Sequence, residues 1–236
     1  APGEQIFPAI DGDLLVWSDN RTGDYDIIVY DLSTKTEKVI VRPGLQTAPA
    51  VRGDLVAWQD HRSGVAEVYL YNLDTEEETA ISPGSLKMEP ALGDRGVVWT
   101  DYRAPDSDVY IYDFSLQADD QITSGSYNCT NPWIDGDRVV WTDDRTGKFN
   151  VYMIDLSTSQ EAQITDAEDE KSSPSISGDL ILYTDNRSGN LDLFLYDLRT
   201  EEETRVTDDP SDQRYGMVAD GRVVWIDDRS GGDQIY

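Results

Sequence analysis

Val16-Trp17-Ser18-Asp19-Asn20-Arg21-Thr22-Gly23 decides how this chain is read, because the pattern comes back five more times. It returns at Trp58-Gln59-Asp60-His61-Arg62, Trp99-Thr100-Asp101-Tyr102-Arg103 and Trp141-Thr142-Asp143-Asp144-Arg145. Two further copies are Tyr183-Thr184-Asp185-Asn186-Arg187 and Trp225-Ile226-Asp227-Asp228-Arg229. The aromatic positions 17, 58, 99, 141, 183 and 225 lie 41, 41, 42, 42 and 42 residues apart. Spacing this even marks a repeat architecture.

A period of about 40–45 residues is that of one four-stranded propeller blade. Each copy has four beats. A short segment follows a proline nine residues before the aromatic (Pro8, Pro49, Pro90, Pro132, Pro174), with Gly216 in its place in the last copy. Proline lacks an N–H, which predicts it as the first residue of a strand. A Gly-Asp turn then leads to an apolar run such as Leu14-Leu15-Val16-Trp17, read as a strand buried on both faces. A second turn precedes a strand such as Asp26-Ile27-Ile28-Val29-Tyr30-Asp31. A polar hairpin such as Thr34-Lys35-Thr36 precedes a charged outer strand such as Glu37-Lys38-Val39-Ile40-Val41. Charge on that strand guards an exposed edge.

No helical period appears, so the class is all-β: a six-bladed propeller of antiparallel four-stranded blades. The blades fall at about 6–47, 48–88, 89–130, 131–172, 173–214 and 215–236, forming one domain. The last blade is expected to be incomplete, since Gln234-Ile235-Tyr236 falls in its third strand. We expect the natural chain to continue past that point, with room for a seventh blade, or another subunit to cover the edge. Ala1-Pro2-Gly3 fits a mature end left by removal of a leader.

With 47 acidic and 19 basic residues, the net charge is −28. Nucleic acid is excluded as a partner, because its phosphates require a basic face. The charge suits a protein among salt or cations. No apolar run is long enough to span a membrane as a helix. One cysteine, Cys129, allows no internal disulfide.

The Asp-x-Arg pair occurs in all six copies: Asp19 and Arg21, Asp60 and Arg62, Asp101 and Arg103, Asp143 and Arg145, Asp185 and Arg187, Asp227 and Arg229. Two functions are open to it: tying each blade to the next through charge-assisted hydrogen bonds, or lining a surface that recognises a ligand. A group present in every blade belongs first to the blade itself. The acidic turns Thr22-Gly23-Asp24-Tyr25-Asp26 and Thr165-Asp166-Ala167-Glu168-Asp169-Glu170 raise the question of calcium. Neither has the ligand spacing of a calcium loop, so no cofactor is assigned, with calcium kept as the alternative. The only histidine, His61, sits in the variable slot of the motif, so neither a histidine metal triad nor a Ser-His-Asp arrangement is marked. The chain is therefore read as a non-enzyme, a polysaccharide-active enzyme being the distant alternative. Asn20, Asn128 and Asn186 head Asn-x-Ser/Thr sequons, with Asn128 the best placed, in a loop. The aromatics outside the repeat pattern, Tyr25, Tyr102, Tyr127, Trp133 and Tyr215, are the places to read a specific partner.

The stretch from Leu180 to Leu198, LILYTDNRSGNLDLFLYDL, resembles the TolB-like propeller repeat, which runs strand, Ser/Thr-Asp-x-x-Gly-Asn, Asp-Ile-Tyr, Asp-Leu. It departs by one extra residue before Gly189 and by Leu193-Phe194 in place of Ile-Tyr. The Trp-x-Asp-x-Arg form is similar to repeats of methanogen (Methanosarcina-type) archaeal cell-surface proteins. That resemblance implies an extracellular scaffold or adhesion module, glycosylated if exported, working by self-association or within a larger surface assembly. The TolB-like resemblance implies a docking platform for a protein or glycan at the propeller mouth.

Overall fold

The computed structural model describes residues 3–166 and 169–236, which form twenty-three strands and no helix. They make six antiparallel sheets. Blade 1 is β1 (Gln5–Asp11), β2 (Leu14–Asp19), β3 (Asp26–Asp31) and β4 (Thr36–Ile40). Blade 2 is β5 (Gln46–Arg52), β6 (Leu55–Asp60), β7 (Glu67–Asn72) and β8 (Glu78–Ile81). Blade 3 is β9 (Lys87–Leu92), β10 (Gly96–Asp101), β11 (Asp108–Asp113) and β12 (Ala118–Gln121). Blade 4 is β13 (Cys129–Asp135), β14 (Arg138–Asp143), β15 (Asn150–Asp155) and β16 (Gln160–Gln163). Blade 5 is β17 (Lys171–Ser177), β18 (Leu180–Asp185), β19 (Asp192–Asp197) and β20 (Glu202–Arg205). Blade 6 has three strands, β21 (Gln213–Ala219), β22 (Arg222–Asp227) and β23 (Gln234–Ile235). The six-bladed, all-β reading holds, including the short last blade. The chain divides into two compact units, Ala1–Ile122 with blades 1–3 and Thr123–Tyr236 with blades 4–6.

Within the first unit, Val16, Ile27, Val29 and Ile40 of blade 1 pack on Val51, Val56, Trp58 and Tyr71 of blade 2. The opposite face of blade 2, with Ala57, Val68 and Ile81, packs on Val97, Trp99 and Tyr110 of blade 3. The second unit repeats the scheme. Val140 and Val151 of blade 4 meet Ile176, Ile181, Tyr183 and Phe194 of blade 5, whose Leu182 and Leu193 meet Val218 of blade 6. The second strands of blades 2 and 5 are thus apolar on both faces because each lies between two sheets. Polar ties join successive first hairpins: Gly53 N–H donates to Asp11 Oδ2 at 2.8 Å, Gly178 N–H to Asp135 Oδ2 at 2.7 Å, and Arg52 Nε to Asp94 Oδ1 at 2.7 Å.

The prolines correct one expectation. Each lies inside its first strand, and that strand begins three residues earlier, at Gln5, Gln46, Lys87, Cys129 and Lys171. The pairing with the second strand slips there, between Ile6 and Ala9 in blade 1 and at the equivalent place in the others. The residue before each proline has positive φ: Phe7, Ala48, Glu89, Asn131 and Ser173, with Tyr215 before Gly216. The bulge takes the proline out of the ladder, so its missing N–H leaves no strand carbonyl unpaired. The expected blade starts at 48, 89, 131, 173 and 215 therefore fall within first strands. The outer strand of blade 1 also begins one residue earlier than expected, at Thr36, because the hairpin tightens on Asp31. Ser33 and Thr34 N–H donate to Asp31 Oδ1 at 2.8 and 3.0 Å, an Asx turn.

Candidate functional site

The Asp of each Asp-x-Arg ends the second strand, and in every blade it is buried while its Arg sits in the turn beyond. The turn brings both the Arg backbone N–H and its guanidinium onto the one carboxylate. In blade 2, Arg62 N and Nε donate to Asp60 Oδ1 at 2.9 Å each, and Nη2 donates to Oδ2 at 2.6 Å. Trp58 Nε1, two residues earlier, donates to Oδ2 at 2.9 Å. Trp99 bonds Asp101 at the same distance, and Trp17, Trp141 and Trp225 do so at 3.3–3.4 Å. The carboxylate is saturated.

Of the two functions left open for these pairs, a tie to the neighbouring blade is made by Arg103, whose Nη2 donates to Ser82 Oγ of blade 2 at 3.2 Å, but the other edge of the guanidinium mainly turns inward. It reaches the outer strand of its own blade: Arg21 to Glu37 at 2.9 Å, Arg62 to Glu78 at 2.6 Å, Arg103 to Asp119 at 3.6 Å, Arg145 to Glu161 at 2.5 Å and Arg187 to Glu203 at 2.6 Å. The tight turn holds the Arg over its own sheet. Its plane lies 4.0–4.2 Å from the ring of Tyr69, Tyr110, Tyr152 or Phe194 on the third strand. Those rings in turn stack on Trp58, Trp99, Trp141 and Tyr183 at 6.0–6.2 Å. Ile28 replaces the third-strand ring in blade 1, opposite Trp17. Indole, ring, guanidinium and carboxylate form one column that fastens strands two, three and four together.

Two partners of this column escaped sequence reading, though both are periodic. An acidic residue stands sixteen positions after each Arg in blades 1–5. A second position, twelve before each aromatic, pairs in register with the motif Asp and carries Gln5, Gln46, Lys87, Cys129, Lys171 and Gln213. Its changing chemistry hid it. Lys87 and Lys171 are buried there, 3.9 Å from Asp101 and 3.1 Å from Asp185. Lys171 also donates to the Asp169 carbonyl at 2.7 Å, and Lys87 to Ser85 Oγ at 2.7 Å. Tyr183 has no indole N–H, so in blade 5 Lys171 donates to the carboxylate instead.

The protonation energetics follow. Arg21 holds the Asp19 carboxyl well below the usual range, and Arg229 holds that of Asp227 at about 2. Burial pushes Asp101 and Asp185 up, but the arginine two residues on and the other donors outweigh it, and both end below the ordinary value. Burial pulls the Lys87 ammonium down against the attraction of Asp101. A depressed carboxyl pKa stabilises the folded state above the unfolded value, near 4, and that contribution is lost as pH falls towards the folded value. The urea midpoint is therefore expected to drop between pH 4 and pH 2, as followed by tryptophan fluorescence. A midpoint that holds or rises across that window contradicts these bonds.

The non-repeating aromatics have different surroundings. Tyr25 Oη donates to Glu4 Oε2 at 2.5 Å, and Tyr127 lies 4.6 Å from the Arg145 guanidinium and donates to the Ser124 carbonyl. Trp133 is half-buried against the core between blades 4 and 5. Tyr102 and Tyr215 stand out, 39% and 61% exposed. Of the sequons, Asn20 accepts from Glu4 N–H, Asn128 donates to Asp144 at 2.9 Å, and Asn186 is exposed. In the turn Thr22–Asp26, the Asp26 carboxylate accepts from Thr22 Oγ1. The second acidic turn includes Ala167 and Glu168, which lie outside the described residues. Among the described residues no group of three or more His, Cys, Asp or Glu side chains is placed to hold a metal ion. His61 Nε2 faces Gln59 Nε2 at 3.0 Å.

Four-stranded sheets of one repeat, stacked face on face within each unit, are the blades of a β-propeller. The sequence profile of the family described as PD40, TolB beta propeller domain, matches residues 7–189, and the chain belongs to that family. No curated protein sequence matches it. The chain is similar to the β-propeller domain of the Trilobed protease from Pyrococcus furiosus, described as having an open velcro topology, at 14% identity. That likeness covers 99% of this chain and 80% of the other, with a TM-score of 0.77. A putative TolB from Agrobacterium tumefaciens is 15% identical over 88% of this chain and 82% of its own, with a TM-score of 0.69. A chain of the nidogen/laminin complex is 14% identical over 86% and 79%, with a TM-score of 0.62. Likeness at these identities shows the fold alone.

Proposed function

We propose that this chain is a non-catalytic structural or interaction module of an exported, cell-surface protein, acting through protein contacts. One observation carries the reading. The Asp-x-Arg pair present in every blade is taken up in holding blades together, its carboxylates saturated by Trp, Arg and backbone donors. It holds no free base or nucleophile for chemistry. What differs from blade to blade, and is exposed, is the surface a protein partner would read. Similarity to a propeller seen in a nidogen/laminin complex supports the same reading. The large negative charge keeps copies apart at low salt and favours partners with basic patches.

Chemical cross-linking on intact source material tests it. Cross-links from this chain to other protein chains, or between its own copies, are expected. Cross-links confined within single chains would reject it.

A second reading, a docking platform, is favoured by the exposed Tyr102 and Tyr215. Tyr102→Ala and Tyr215→Ala should then each weaken capture of the cross-linked partner at least about tenfold, the scale of a lost aromatic hot spot. Unchanged capture by both variants removes this second reading.

A further inference from the structure

Four side-chain oxygens, in two pairs, are buried with no hydrogen-bond partner among the described residues: Ser18 Oγ with Gln46 Oε1, and Thr184 Oγ1 with Gln213 Oε1. The fold sets the members of each pair into one blade interface. Ser18 pairs in register with Ile27, on the face that carries Val16 and Val29 against blade 2. Gln46 pairs with Asp60, on the face that carries Trp58 against blade 1. Its N–H donates to the Tyr25 carbonyl at 2.8 Å, which fastens the start of β5 beside the end of β2 and the start of β3. The second pair repeats this between blades 5 and 6. Thr184 pairs with Leu193 on the face packed on Val218. Gln213 pairs with Asp227, and its N–H donates to the Leu191 carbonyl at 2.7 Å.

We infer that one water molecule is bound in each of these two interfaces, between the glutamine oxygen and the hydroxyl. The amide cannot turn to help itself. Gln46 Nε2 donates to the Gly44 carbonyl at 2.9 Å and Gln213 Nε2 to the Ser211 carbonyl at 2.6 Å, so turning either amide would set oxygen against oxygen. The amide oxygen therefore needs a donor, and the motif carboxylate in register with it is an acceptor only. A water meets both needs, donating to the amide oxygen and accepting from the hydroxyl. Buried waters make about two to four such bonds, whereas a calcium ion asks for about six or more oxygens.

The lysine copies of the same slot support the assignment, because an ammonium brings its own donors. Lys171 lies 3.1 Å from Asp185 and donates to the Asp169 carbonyl at 2.7 Å, and Lys87 donates to Ser85 Oγ at 2.7 Å. Across the interface, Thr142 stands to Lys171 as Ser18 stands to Gln46, and it bonds Thr130 of its own blade at 3.1 Å. Gln59, in that position before Lys87, meets His61 Nε2 at 3.0 Å. The lysine interfaces satisfy these positions with protein groups, and the glutamine interfaces do so through a water.

Magnetic relaxation dispersion of the solvent, which counts water molecules held for long times inside a protein, tests this. Gln46→Lys and Gln213→Lys install the side chain that the other two interfaces already carry. Each should fold and lower the wild-type count by one. Thr184→Val keeps the side-chain shape and deletes only the hydroxyl, so it should shorten the residence of one water about fivefold, the worth of a neutral hydrogen bond. An unchanged count in either lysine variant, or an unchanged residence in Thr184→Val, overturns the inference. Crystals grown in rubidium chloride separate water from a cation. Density without anomalous signal is expected between the glutamine and the hydroxyl at both places. A rubidium peak there, or a hydroxyl bonded directly to the amide oxygen, overturns it.

Discussion

Asp185→Ala is expected to lower the stability of the folded chain by about 3–5 kcal/mol, the cost of leaving buried charge without its counter-charge. Asp185 is the common acceptor for Lys171 at 3.1 Å and for Arg187, whose backbone N–H donates to it at 2.8 Å. Removing it leaves the buried Lys171 ammonium without a carboxylate and the turn without its anchor. Arg187 retains Glu203, so its share of the loss is the smaller one. For a chain of this length the midpoint temperature should fall by roughly 10 °C. Ser157→Ala, which removes one exposed hydroxyl bond to Asp155, should change stability by less than about 1 kcal/mol. Comparable losses from the two variants would mean that the column is not a structural unit.

Trp99→Ala should cost about 3–5 kcal/mol, and Trp17→Ala distinctly less. Both rings occupy the same slot of the repeat. Trp99 is fully buried, stacks on Tyr110 at 6.0 Å and bonds Asp101 at 2.9 Å. Trp17 is half-buried, faces Ile28 across the ladder instead of a ring, and bonds Asp19 at 3.3 Å. Cavity and transfer losses both grow with the burial of the deleted side chain. Denaturant titration of the two variants settles the order. Equal losses would mean that the ring of the first blade contributes as much as that of the third, against the difference in burial and bonding.

Much of the fold was legible in sequence because a repeat prints its period. The even spacing of the Trp/Tyr positions gave the blade count, and the apolar runs gave the third strands to the residue and the second strands up to the aromatic, two residues short of their ends. The prolines misled because their missing N–H was matched to a strand start, while the structure removes the same conflict with a bulge and a positive-φ residue before it. Phe7, Ala48, Glu89, Asn131 and Ser173 share no side-chain chemistry that announces this. The motif was read as a pair, although the column has more members. The acid sixteen residues after each Arg was in view as part of a charged outer strand, and only the tight turn shows that the guanidinium folds back onto it. The position holding Lys87 and Lys171 was silent for another reason. Gln5, Gln46, Lys87, Lys171 and Gln213 all donate to the carbonyl two residues earlier, while Cys129 donates to Asp143 instead, so much of the function repeats while the residue type does not. Exposed aromatics are set by loop geometry, which periodicity does not encode, so Tyr25 and Tyr127 proved tethered and Tyr215 free-standing.

The central claim is that a repeat built for blade packing acts as a non-catalytic interaction module, and native mass spectrometry on protein purified from its own source tests it most directly. Spectra taken with and without a chelator read subunit count, bound partner and bound metal together. The account predicts masses above one chain, from copies or a bound protein, with no change on chelation. A chain found only as a monomer, and losing a metal ion on chelation, would contradict it.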